Sequence, residues 1–74
     1  MKYVVMFEMR KKQGSPDVGF LEDADGESLT TDLFMAERFE LIEDAIHAAE
    51  RFNKVWSQRS IIRSIRILRK QEEE

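Results

Sequence analysis

The chain has 74 residues, which is one domain or less, with room for only a small core. It is 42% apolar and 36% charged, carries a net charge of −3, and holds one histidine and no cysteine. That composition excludes disulfides, thiolate metal sites, cysteine nucleophiles and multi-histidine metal sites, and argues against global disorder.

Lys2 to Met9, "KYVVMFEM", predicts a strand. Tyr3, Val5, Phe7 and Met9 fall on one face at period two, while Val4 and Met6 make the other face apolar as well. Two apolar faces predict a central strand. The run is interrupted by Glu8, and no small-residue cleavage site follows, so it reads as structure and not as a signal peptide. "RKKQGSPD" reads as a basic loop. "VGFLED" predicts a second strand, antiparallel to the first. "DADGES" predicts a turn, with Asp25-Gly26 as its hairpin dipeptide, and "ESLTT" a short third strand. "TDLFMAERF" predicts a turn leading into an extended, bridge-like piece.

The helix pattern is clearest in "IEDAIHAAERFNKVW". Ile42, Ala45, Ile46, Ala49, Phe52 and Trp56 recur at helical spacing, with acids early and bases late, as the helix dipole prefers. "SIIRSIRILRK" can be read in two ways. As a helix it is amphipathic, with Ile61, Ile62, Ile65 and Leu68 on one side. As a strand it places Ile65 and Ile67 opposite Ser64, Arg66 and Leu68. Isoleucine's stiffness at χ1, the misfit of Ile67 on the helical face and the need for another strand after the helix all favour the strand. The expected fold is α+β, in the order β-β-(β)-α-β. An antiparallel-rich sheet of three to four strands carries one helix on one face, within a domain of residues 1–70 followed by an acidic tail, 71–74. The helix residues Ala45, Ile46, Ala49, Phe52 and Trp56 are expected to meet Tyr3, Val5, Phe7 and Phe20.

Charge is unevenly spread. Asp17 to Asp44 holds ten acids and one base, Arg38, whereas Arg51 to Lys70 holds seven bases and no acid. The two blocks could join two faces of one fold, join two subunits, or steer a partner.

The order of signals resembles the short, uncharacterised proteins encoded by phages and prophages of Gram-positive bacteria. The resemblance rests on "YVVMFEM", Gly19-Phe20-Leu21, Thr30 to Asp32, Ala36 to Phe39 and Glu43 to Ala45, and spans about residues 3 to 52. It departs at Leu41, where that pattern tends to offer a serine or threonine cap. The family has no agreed activity, so the resemblance implies a setting and no mechanism.

Motifs of chemistry are few. "DADGES" has a calcium-loop flavour. However, aligning Gly26 to the loop glycine puts Leu21 at the first ligand position, so a hairpin turn is the better reading. His47 sits on the polar side of its helix and reads as a surface residue, not a general base. No catalytic, cofactor or metal residues are predicted. Arg59, Arg63, Arg66, Arg69 and Lys70 are the candidate contacts for nucleic acid or a protein partner. Glu22, Asp23, Asp25, Glu27 and Asp32 are the candidate acidic partner face. Trp56 is either core or an interface anchor. The leading expectation is a non-enzymatic, cytoplasmic protein-interaction module with an unknown protein partner, a homodimer being one form. Zero cysteine fits a reducing compartment, and no apolar run reaches the roughly 18 residues of a membrane helix. The alternatives are a nucleic-acid-binding protein using residues 59–70, and an acidic nucleic-acid mimic that inhibits a host protein.

Overall fold

The computed structural model describes residues 2–10 and 18–70. Most of the basic loop and the acidic tail expected at 71–74 lie outside these residues. Strand β1 is Lys2–Met9, β2 Val18–Leu21, β3 Leu29–Thr30 and β4 Ile62–Lys70, and the helix α1 is Ile42–Trp56. A single 3-10 turn, Leu33–Met35, lies between β3 and α1. The strands form one antiparallel sheet in the order β3-β2-β1-β4. The expected α+β class and the central place of β1 both hold, and the isoleucine-rich segment is a strand.

Local chemistry explains the connections. The Gly26 N–H donates to Asp23 Oδ1 at 2.9 Å and the Glu27 N–H to the same oxygen at 3.1 Å, while Gly26 takes φ = 81°. Only glycine adopts that backbone cheaply. Asp32 Oδ1 accepts from the Phe34 N–H at 2.9 Å and starts the 3-10 turn. The chain then runs back as an extended piece: Phe39 bridges Tyr3, each N–H donating to the other's carbonyl at 2.8 Å. This is the extended, bridge-like piece expected from "TDLFMAERF".

The core lies between α1 and one face of the sheet. Val5, Phe7, Met9, Leu21, Phe39, Ala45, Ala48 and Phe52 form it. The Phe7 and Phe52 rings stack at 4.9 Å, and Trp56 tilts against Phe52 at 6.5 Å. The Trp56 indole N–H donates to the Gly26 carbonyl at 3.0 Å, tying the end of α1 to the β2–β3 turn.

Two expectations about this core are corrected. The buried stripe of α1 is Ala45, Ala48 and Phe52, while Ile46 stays 39% exposed. With Ala45, Ala48 and Phe52 turned onto the sheet, Ile46 is left at the rim, where it lines a groove beside β4. Phe20 does not meet the helix. It pairs with Met6, whose side chain points away from Val5 and Phe7, so Gly19 and the fully buried Leu21 take the helix-facing positions. Gly19 lies opposite Phe7, and a Cβ there would fall 2.8 Å from the Phe7 Cζ and 2.7 Å from the Thr30 carbonyl oxygen. The glycine makes room for the Phe7 ring and so sets which face Phe20 takes.

Candidate functional site

The first surface is the sheet face opposite α1. Alternation along the strands and the β1–β2 and β1–β4 registers put Val4, Met6, Val18, Phe20 and Leu68 on it. No helix or second sheet of the described residues covers it. An antiparallel sheet usually presents polar residues to water on such a face; this one presents an aliphatic patch with one aromatic ring. Val4 is 1% exposed, whereas Val18 is 41% and Leu68 37% exposed. The patch has polar ends. Lys70 lies opposite Lys2 at one end, where Lys2 Nζ meets Glu40 Oε2 at 3.4 Å, and Glu8 lies opposite Ser64 at the other. Arg66 sits beside Met6.

The second surface is the outer edge of β4. Among the described residues this nine-residue strand pairs with β1 on one side only and ends the sheet. On the helix side, a groove of about 330 Å³ runs between α1 and β4, lined by Ile46, Ala49, Glu50, Asn53, Ile65 and Ile67. The short side chain of Ala49 faces Ile65 and Ile67 across it.

The five candidate cations do not converge. Arg59 follows α1, with its guanidinium 5.1 Å from the centre of the Trp56 ring. Arg63 falls at a register shift: Met9 pairs with Ile62 and Glu8 with Ser64, so Arg63 has no residue opposite it on β1. That register shift is a β-bulge at Arg63. Arg66 and Lys70 take the open face, and Arg69, opposite Tyr3, takes the helix face. The cations therefore decorate an edge and not one face.

The candidate acidic face is partly structural. Asp23 holds the β2–β3 turn and Asp32 the 3-10 turn, while Asp25 and Glu27 are exposed beside that hairpin and Glu22 is half-buried. A cleft of about 490 Å³ lies where the 37–41 segment meets α1, with Glu37, Asp44, His47 and Arg51 among its lining. Asp44, His47 and Arg51 are exposed. Among the described residues no group of three His, Asp or Glu side chains is placed to hold a metal ion, and no helix is long and apolar enough to cross a membrane. Sequence reasoning missed the groove and the outward Phe20; the glycine preceding Phe20 was the signal for the latter. In comparisons with known proteins, the chain matches no family, no curated protein and no solved structure.

Proposed function

We propose that this chain is a non-enzymatic protein-interaction module of phage or prophage setting, acting in the cytoplasm, which joins a second copy of itself through the open face of its sheet. The observation that carries this reading is the apolar patch of Met6, Val18, Phe20 and Leu68 on the open face, with Val4 buried among them. Small domains with a thin core commonly gain stability by association. Charge favours a copy as the occupant. Two sheets stacked face to face about a two-fold axis across the strands lay β1 on β1, which brings Lys2 of each chain over Glu8 of the other and Lys70 beside it, with the apolar patches between.

Nucleic-acid binding is the second reading, favoured by one observation: Phe20 shares its face with Arg66 and Lys70. A single ring two strands away from Arg66 makes a poor stacking platform, and Glu8 on the same face repels phosphate. Light scattering after size exclusion tests the proposal. The wild type is expected to be a dimer at tens of micromolar, and Met6→Glu or Leu68→Glu to shift it to monomer, since a charge buried at an interface centre costs about 2 kcal/mol or more. A monomeric wild type at millimolar concentration refutes self-association. Salt-sensitive binding of a single-stranded oligonucleotide, lost in Phe20→Ala, would move the assignment to the second reading.

A further inference from the structure

We infer that the edge of β4, together with the groove between β4 and α1, is a docking site for an extended acidic segment of another protein, added as a fifth strand. The edge and the groove adjoin the open face and share Arg66 and Lys70 with it; the inference does not rest on dimerisation.

A strand paired on one side leaves alternate N–H and C=O groups directed outward, a ready template for another strand. β4 offers nine residues of such edge, longer than most strands. Backbone pairing supplies affinity in this mode, and pockets for alternate side chains supply selectivity. The groove is such a pocket. A strand added to β4 would direct every second side chain towards Ile65, Ile67, Ile46 and Ala49, so one branched aliphatic residue fits there.

Charge selects the occupant. Arg63, Arg66 and Arg69 are exposed along the edge and Lys70 ends it, and no acid occurs between Arg51 and Lys70. A second β4 is the wrong partner. An antiparallel pair centred on Arg66 places Arg66 against its own copy and Arg63 against Arg69, and like charges directly opposite destabilise a sheet. The same cations that oppose self-pairing attract a strand bearing carboxylates. Because Arg66 points to the open face and Arg69 to the helix face, that strand carries acids on both of its sides. The chemistry specified is an extended peptide of alternating acidic and branched aliphatic residues.

The test uses the full chain and a fluorescein-labelled decapeptide alternating glutamate with valine, against a control with lysine for glutamate. Fluorescence anisotropy is read at two salt concentrations, and backbone amide exchange is followed along β4. The expected result is binding of the acidic peptide alone, weaker at higher salt, with slowed exchange in β4. Arg66→Glu with Arg69→Glu should weaken binding at least about tenfold. Ala49→Leu, which fills the groove without removing any contact of the fold, should weaken it comparably while circular dichroism and the melting temperature hold. A Val18→Glu variant, which puts a charge on the open face two strands away from β4, should bind as wild type does, which separates this inference from dimerisation. Equal binding of both peptides, binding with no protection of β4, or an equally charged oligonucleotide competing as well as the acidic peptide would each overturn the inference.

Discussion

Two glycines and one tryptophan hold this small fold to a single arrangement. Gly26 combines a left-handed backbone with close approach to α1, where an added Cβ would stand 2.5 Å from the Phe52 amide nitrogen. Backbone cannot give way there, so Gly26→Ala is expected to cost at least about 2 kcal/mol, read as a lower midpoint in urea. Gly19→Ala meets a movable ring, Phe7, but also the Thr30 carbonyl, which is held in the sheet. A loss of about 1–3 kcal/mol is expected in the same measurement. Trp56→Phe keeps the ring against Phe52 but leaves the Gly26 carbonyl without its indole donor. That change should cost about 1 kcal/mol. No pattern-based reading reaches the indole bond, because Trp56 and Gly26 are thirty residues apart.

At the scale of elements, α1 and β4 each differ from their sequence reading in one informative way. Leu41 occupies the N-cap of α1 with extended backbone and no side-chain bond. A hydroxyl there would satisfy a free amide of the first turn. Leu41→Ser is expected to raise stability by about 1 kcal/mol, seen as a higher thermal midpoint. The rotated stripe makes a paired prediction. Ala48→Leu forces volume into a closed contact and should cost about 1–3 kcal/mol, whereas Ile46→Ala, at the groove rim, should cost clearly less. The reverse order would restore the stripe read from the sequence. On β4, the bulge at Arg63 and the cations beside it are devices that discourage strand-on-strand aggregation.

For the whole molecule, the exposed sheet face links stability to concentration. If two copies share that face, the thermal midpoint rises with protein concentration, and Leu68→Glu removes the dependence. A midpoint independent of concentration over about two decades counts against association. The sequence by itself determined the elements and their order, because period-two and helical spacing are properties of the local backbone. It also showed that cations crowd residues 51 to 70, though not where they point. Which face Phe20 joins, whether Arg63 stays in register and how far α1 sits from β4 are relations between segments distant in the chain. Gly19 beneath Phe7, a bulge against Glu8 and Met9, and the short side chains of Ala45, Ala48 and Ala49 settle them. Only the tertiary structure decides such matters, because a shift of one residue in strand pairing exchanges the two faces while leaving every local pattern unchanged.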